Sequence, residues 1–446
     1  MKIIIAGAGE VGTHVAKMMC HANHDVVLID DDEEKLKQID AHFDLLTIVG
    51  SVSSIKDLKQ ANAGDCDLFI AVPPYEELSL MSAILATKLG AKVTIARINN
   101  YEYLLPENKE FFKQLGVDEL IYPEQLAAKE IATSLKRVGI RQQIEFSDGK
   151  LILYAIKIRD NAPIINLTLA EVDERHDGKL YNTVAIIRDG QTIIPHGNER
   201  FRHNDLVYIL TTPKETAKVL RDTGKQKFDV KNVMILGGSR IGKKLAERLG
   251  VRYNVKMIEI DREKSTRLAN ELEHTLVISG DGRNLELLKD EGLKKMDAFV
   301  AVTSNSEVNI LACQLAKKMG VKKTVAEVEN MDYIALAENI GIGTLINKKL
   351  IAASYIYRYT VKARVSEVKC LIASDAEVLE LVAGENSKIT KNPLSRMKLP
   401  RDVNVGGIIR NGKAIIATGD TQIQANDKVV VFALPSGIRK IEKMFL

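Results

Sequence analysis

The sequence predicts an α/β protein made of two tandem parallel-sheet domains, each followed by a small α+β domain. Three observations lead there. The chain opens on Met1-Lys2-Ile3-Ile4-Ile5-Ala6-Gly7-Ala8-Gly9-Glu10-Val11-Gly12, an apolar strand running through Gly-x-Gly-x-x-Gly into a helical pattern that starts near Glu10. Short, nearly continuous apolar runs then alternate with amphipathic stretches, as a parallel sheet covered on both faces requires. The opening also returns as Val233-Met234-Ile235-Leu236-Gly237-Gly238-Ser239-Arg240-Ile241-Gly242, with Gly237 standing 230 positions after Gly7.

In the first unit, Val15 to Met19 continue the helix after the glycines. Asp25-Val26-Val27-Leu28-Ile29-Asp30 reads as a second strand ending in a carboxylate. Asp31-Asp32-Glu33-Glu34 then begins a helix with acids in its first turn, where the helix dipole favours them. Further strands are expected at 45–50, 68–72 and 93–98, with a helix at 76–89. The texture changes near Gln142. Strands at 144–146 and 151–158 surround Ser147-Asp148-Gly149, and those at 183–187 and 192–194 flank Arg188-Asp189-Gly190-Gln191, a hairpin with an Asp-Gly turn. A strand at 206–210 and a helix from Thr216 close this small domain.

The self-similarity reaches well beyond the glycines, and a repeat of this kind sets the architecture. Val255-Lys256-Met257-Ile258-Glu259 answers Val26 to Asp30, and Ser279-Gly280-Asp281 answers Val49-Gly50-Ser51. Ala301-Val302-Thr303-Ser304 answers Ala71-Val72-Pro73-Pro74, and Ala326-Glu327-Val328 answers Ala96-Arg97-Ile98. Ile408-Ile409-Arg410-Asn411-Gly412-Lys413 matches the earlier hairpin. The domains therefore fall at 1–124, 140–224, 230–349 and 365–446, and the polar run Asp222-Thr223-Gly224-Lys225-Gln226-Lys227 is the expected linker between halves.

Composition narrows the function classes. At 446 residues the chain is too long for one ordinary core. Hydrophobic residues at 46% and charged residues at 27% fit a globular protein, and no apolar run approaches the ~18 residues of a membrane helix. The chain enters its first strand at Lys2, which argues against a leader peptide. Cys20, Cys66, Cys313 and Cys370 are scattered without short paired spacing, against a zinc site or disulfide framework and for a reducing, cytoplasmic setting. A net charge of +4 with no basic run disfavours nucleic acid as a partner. His21 and His24 have metal-pair spacing but no third ligand nearby, so a helix C-terminal role is the simpler reading.

The strand–turn–helix geometry aims unpaired backbone N–H groups and the positive end of a helix dipole at one spot, which attracts phosphate. Gly7 allows the tight turn, Gly9 lets a pyrophosphate approach the backbone, and Gly12 lets helix pack on strand. Asp30 and Glu259 end the second strands. There a carboxylate takes ribose hydroxyls and excludes a 2′-phosphate, favouring NAD over NADP; the alternative is a helix-capping acid. Asp281, answered by Ser51, either borders the adenine or is a turn residue. Arg97 ends the fifth strand at the ligand-binding edge of the sheet, or is a surface arginine; Glu327 stands there in the second copy. Arg240 could reach a terminal phosphate, where the first loop has Glu10.

Each copy also departs from the ideal pattern. Ser239 replaces the second glycine of the second loop and crowds a pyrophosphate. Pro73-Pro74 remove two N–H donors from the first copy, where the second keeps Thr303-Ser304. The candidate binding residues are thus Gly7, Ala8, Gly9, Glu10, Val11, Gly12, Asp30, Ser51, Pro73, Pro74 and Arg97 in the first copy. In the second they are Gly237, Gly238, Ser239, Arg240, Ile241, Gly242, Glu259 and Asp281. The glycines make the first the better NAD site. No catalytic or metal residue is expected.

This duplication, with Gly7-x-Gly9-x-x-Gly12, Gly238-Ser239-Arg240-Ile241-Gly242 and Ala96-Arg97-Ile98-Asn99-Asn100, resembles the TrkA family of Trk-system potassium uptake proteins over essentially the whole chain. The resemblance implies Rossmann-like KTN (RCK-N) domains at 1–124 and 230–349, and TrkA-C (RCK-C) domains at 140–224 and 365–446. It implies NAD(H), or ATP and ADP, as ligands, with Arg97 a nucleotide contact. It also implies a ring of subunits, a homotetramer, peripheral on the cytoplasmic face of the inner membrane. That ring would gate a membrane-embedded, Trk-type potassium-translocating subunit.

The expected function is therefore nucleotide sensing coupled to ion transport. The rival is an NAD-dependent oxidoreductase, which needs an acid/base residue beside the nicotinamide. Here the small domains are short and β-rich, and the eight histidines do not recur between copies. Tyr355-x-Tyr357-x-Tyr359 would present three rings to one face if extended and spread them if helical, with packing its simplest use.

Overall fold

The computed structural model describes residues 1–21, 24–135, 140–176, 179–225, 228–330, 332–360, 365–371 and 376–446. These form two compact units. One is Met1–Pro123 with Lys349–Lys362, the other Glu124–Lys348 with Ala363–Leu446.

The first unit holds β1 (Lys2–Ala6), α1 (Glu10–His21), β2 (Asp25–Asp30), α2 (Glu33–Asp40), β3 (Leu46–Val49), α3 (Ile55–Gln60), β4 (Leu68–Ala71), α4 (Glu76–Leu89), β5 (Thr94–Arg97), α5 (Pro106–Gln114) and β6 (Glu119–Ile121). All strands are parallel, in the order β3-β2-β1-β4-β5-β6. The order reverses between β1 and β4, so the glycine loop leaves β1 at the switch point where such sheets open a ligand crevice. Ile3, Ile4 and Ile5 are all buried, because helices cover both faces of this central strand. Asp32 caps α2 by accepting from the Lys35 N–H, and Gly90, at φ +124°, ends α4.

The second unit begins with most of α6 (Pro123–Leu135), followed by the first small domain. Its elements are β7 (Gln142–Phe146), β8 (Leu151–Lys157), α7 (Leu169–Arg175), β9 (Tyr181–Arg188), β10 (Gln191–Ile193), β11 (Leu206–Thr211) and α8 (Thr216–Asp222). The strands are antiparallel in the order β10-β9-β11-β8-β7. Arg188 pairs with Gln191, so the hairpin turn is the two residues Asp189 and Gly190, both at positive φ, as the twist-matched turn requires.

The second parallel sheet repeats the first. It comprises β12 (Asn232–Leu236), α9 (Arg240–Leu249), β13 (Asn254–Glu259), α10 (Arg262–Glu271), β14 (Thr275–Ser279), α11 (Leu285–Asp290), β15 (Ala298–Ala301), α12 (Ser306–Lys318), β16 (Lys323–Glu327), α13 (Asp332–Ile340) and β17 (Thr344–Ile346), ordered β14-β13-β12-β15-β16-β17. Then come α14 (Lys348–Tyr357), β18 (Val365–Cys370), β19 (Glu377–Val382), β20 (Val403–Arg410), β21 (Lys413–Ile416), β22 (Lys428–Ala433) and α15 (Pro435–Phe445). The last sheet, β18-β19-β22-β20-β21, has the topology of the first small one.

Within the second unit the two small sheets share one apolar cluster, Leu153, Val184 and Leu210 from one with Val378, Ile409 and Phe432 from the other. Gly406 permits that approach: a Cβ there would stand 2.7 Å from Leu210 and 2.9 Å from Val184. Asn182 Nδ2 donates across the junction to the Val405 carbonyl at 3.1 Å.

Four features differ from the reading of the sequence. The sixth strands, β6 and β17, are only three residues long and gave no periodic signal. The expected linker starts as packed structure. Asp222 ends α8, and its carboxylate accepts from Tyr181 Oη at 2.9 Å and lies 2.8 Å from His176 Nε2, while Thr223 is fully buried. Gln226 and Lys227 lie outside the described residues. The Tyr355-x-Tyr357-x-Tyr359 run is not extended: α14 carries the first two, and the Tyr355 and Tyr359 rings lie 6.4 Å apart with Arg358 against both. Finally, α14 follows β17 in the chain, yet from Lys349 onward it belongs to the first unit, and α6 from Glu124 onward belongs to the second.

Candidate functional site

Both glycine loops adopt the same backbone. Gly7 and Gly237 lie at φ +105° and +103°, a region L side chains rarely adopt. At Gly12 a Cβ would stand 1.9 Å from the Gly7 carbonyl oxygen, and at Gly242 2.2 Å from that of Gly237. These glycines are therefore demanded by helix-on-strand packing. Gly9 is different: its Cβ position is open, with nothing within 4 Å. That open cradle beside the start of α1 is what a pyrophosphate needs, so the residues present fit a dinucleotide.

The second loop is more closed. Ser239 fills the position of Gly9, and its hydroxyl accepts from the Gly242 N–H at 3.2 Å, capping α9 with one of the donors an anion would use. Gly238 replaces Ala8 because Leu268 of α10 packs there, 2.3 Å from where a Cβ would sit.

Asp30 lies beside the first loop. Its Oδ2 accepts from the Ala8 N–H at 2.5 Å and its Oδ1 from the Asp32 N–H at 3.0 Å. It therefore fixes the loop, and each oxygen keeps acceptor capacity for a further donor. Glu259 does the same for the Gly238 and Asp261 N–H groups, at 2.9 and 3.0 Å, but is 5% exposed and also bound by Lys264 Nζ at 2.9 Å. Burial works to raise the Glu259 pKa. The Asp261 N–H, Lys264 and the Gly238 N–H outweigh it and hold the carboxyl below the ordinary glutamate range. Helix support and ribose binding are thus not alternatives at Asp30, whereas Glu259 is largely committed to its own structure.

The other expected residues divide. Ser51 donates its N–H to Asp57 at 2.9 Å, and its hydroxyl meets that of Ser53 at 3.1 Å. Asp281 grips Arg283 with both oxygens and accepts the Arg283 N–H, local contacts of the kind a turn residue makes. Pro73 packs on the first loop, its nitrogen 2.8 Å from the Gly7 Cβ position. The Thr303 N–H that replaces it is bonded to Asn309 Oδ1 at 3.0 Å, so it is not the spare donor the sequence suggested. Arg97 ends β5 half-buried. Glu327 is 3% exposed and lies 3.9 Å from Lys348 Nζ, which also pairs with Glu329.

Two residues that sequence reasoning missed reach the loops themselves. Lys349, on α14, pairs with Glu10 at 2.6 Å. Glu124, on α6, faces Arg240 at 3.9 Å. Their signal was present. Tyr122-Pro123-Glu124 and Asn347-Lys348-Lys349 follow the two sixth strands at matching positions, but without those strands the match is invisible.

A duplicated parallel sheet with a phosphate-type loop, each copy followed by a five-stranded antiparallel domain, defines a tandem Rossmann-like protein of the RCK fold class. The TrkA-N domain model matches residues 3–123 and 233–348, and the TrkA-C domain model 153–224 and 378–446. The chain belongs to the TrkA family. It is 31% identical over 438 residues to the Trk system potassium uptake protein TrkA of Vibrio alginolyticus, covering 97% of this chain and 95% of that one. It is 30% identical over 447 residues to the Archaeoglobus fulgidus homolog, covering all of both. In fold it matches the GsuK RCK domain (TM-score 0.61, 13% identity, 100% of this chain and 94% of that one). It likewise matches the GsuK channel bound to NAD (TM-score 0.60, 13% identity, 100% and 78%). The TrkA family consists of non-enzymatic regulatory subunits of potassium uptake systems, which removes the oxidoreductase alternative. Among the described residues no helix is long and apolar enough to cross a membrane.

Proposed function

We propose that this chain is the nucleotide-sensing, cytoplasmic regulatory subunit of a Trk-type potassium uptake system. It binds NAD(H), with ATP or ADP as further ligands, and gates a membrane-embedded potassium-translocating subunit as part of a ring, a homotetramer, on the inner face of the membrane. The observation that carries this is the open Gly9 position between Gly7 and Gly12, with Asp30 held against the same loop. In the first site Gly7 to Gly12 receive the pyrophosphate and Asp30 the ribose, with Ser51, Pro73, Pro74 and Arg97 bordering the ligand. In the second, Gly237 to Gly242, Glu259 and Asp281 form a tighter counterpart whose Arg240 suits a terminal phosphate. A ligand regulates only if it prefers one of two arrangements, so unequal sites give the chain more than one signal to read.

The test is calorimetric titration of the full chain with NADH. Asp30→Ala weakens binding more than Glu259→Ala does. Equal losses, or a larger loss at Glu259, would refute the ranking of the sites, and turnover of NADH with a small substrate would refute the regulatory reading.

A further inference from the structure

The two glycine loops carry opposite charges at one position, and each faces a residue of opposite sign from a helix of the other half. Glu10 is the first residue of α1 and Arg240 the first of α9. Lys349 and Glu124 are the second residues of α14 and α6. The Glu10–Lys349 pair, at 2.6 Å, is thus a sign-reversed copy of the Arg240–Glu124 pair, at 3.9 Å. Burial is distributed alike in both. Lys349 and Glu124 are 8% and 5% exposed, whereas the side chains of Glu10 and Arg240 are 65% and 56% exposed. The helix residue is buried, and its partner on the loop is largely exposed.

We propose that Lys349 and Glu124 read nucleotide phosphate at the two loops with opposite sign: Lys349 binds the phosphate in place of Glu10, and Glu124 competes with it for Arg240. This rests on the nucleotide-binding reading above. At the first loop the incoming anion meets a buried ammonium that already pairs with the first residue of α1, so a charge-assisted bond forms with little reorganisation. Glu10 is repelled outward and α14 is held more tightly. At the second loop the phosphate takes Arg240, and the buried Glu124 keeps the nearby charge of Lys348 but loses the attraction of that guanidinium, so α6 is held less tightly. One ligand class therefore clamps one helix and loosens the other.

The test uses the full chain, with hydrogen exchange followed across titrations of NADH and ATP, so that peptides over 7–12 and 237–242 report each loop separately. Lys349→Gln weakens protection of the first loop by NADH about tenfold, the worth of one charge-assisted bond, and Lys349→Arg restores most of it. Glu10→Gln strengthens it, and Glu124→Gln strengthens protection of the second loop by ATP. NADH slows exchange in α14, and ATP speeds it in α6. Should Lys349→Gln lower the melting temperature, the sign of the Glu10→Gln effect decides alone. A chain that binds nucleotide but is indifferent to Lys349→Gln and Glu10→Gln, or weakened by both, overturns this proposal and leaves the regulatory reading standing. A chain that binds neither nucleotide overturns both.

Discussion

Replacing Lys323 with methionine should remove one pH-dependent contribution to the stability of the second unit, so that parent and variant exchange rank between pH 6 and 9. Lys323 begins β16 and is 2% exposed. Its ammonium donates to the Ile140 carbonyl at 2.7 Å and to Thr344 Oγ1 at 2.9 Å, and Thr344 Oγ1 donates in turn to the Arg141 carbonyl. Burial pulls its pKa from 10.5 down to about 7. At about 1.4 kcal/mol per pH unit, keeping the folded chain protonated costs at most about 5 kcal/mol. Between pH 7 and 10.5 the unfolded chain binds this proton and the folded chain does not, so this contribution to stability rises with pH and is smallest below 7. Two hydrogen bonds, together about 1–3 kcal/mol, offset part of the cost.

Lys323→Met removes both terms. The variant should match or exceed the parent by about 2 kcal/mol at pH 6. It should fall behind by pH 9, where the parent has recovered about 3 kcal/mol. Urea unfolding at pH 6, 7, 8 and 9, with hydrogen exchange across β16 to localise the change, measures this. A constant difference between parent and variant over that range would show that the lysine stays charged, and the reasoning fails.

Other expectations are as direct. Arg188 and Arg410 occupy matching positions in the two small domains and grip Asp205 and Asp427, which are 1% and 2% exposed. Either Arg→Ala change leaves a buried carboxylate without its cation, held only by the Arg202 or Gln424 N–H, and should cost about 3–5 kcal/mol in chemical denaturation; a loss under about 1 kcal/mol would mean that water reaches the acid. Gly12→Ala should lower the melting temperature because its Cβ meets backbone, while Gly9→Ala should leave it unchanged and weaken NADH binding alone; equal effects on both properties would contradict the open cradle. Glu377 is 7% exposed and burial raises its pKa to about 8, so its contribution to stability is lost as pH rises from 4.5 through 8. Glu377→Gln should therefore stabilise the chain at pH 8.5 and have little effect near pH 4.5, as differential scanning fluorimetry will register.

Much of this was legible in the residues, and where it was not there is a physical reason. Strands buried on both faces, such as Ile3 to Ile5, announce themselves as apolar runs, and a helix such as α4 by the acids Glu76 and Glu77 in its first turn and by Gly90 at its end. Three-residue edge strands have too few positions to show a period, so β6 and β17 were missed. With them went the correspondence of Glu124 to Lys349. Asp30 and Glu259 were recognisable from their offset to the glycines, but their division of labour depends on Lys264, whose side chain reaches back from the first turn of α10 to Glu259 at the end of β13. Asp281 shows the opposite limit. A carboxylate two residues before an arginine makes a local ion pair more readily than a distant one, and Arg283 takes it.

The reciprocal placement of α6 and α14 makes the chain indivisible. A half expressed alone would be completed only by borrowing the missing helix from a twin. In a twin of the first half Glu10 would meet Glu124, and in a twin of the second Arg240 would meet Lys349, so like charges would confront one another at every loop. Only the fused pair brings acid to base at both.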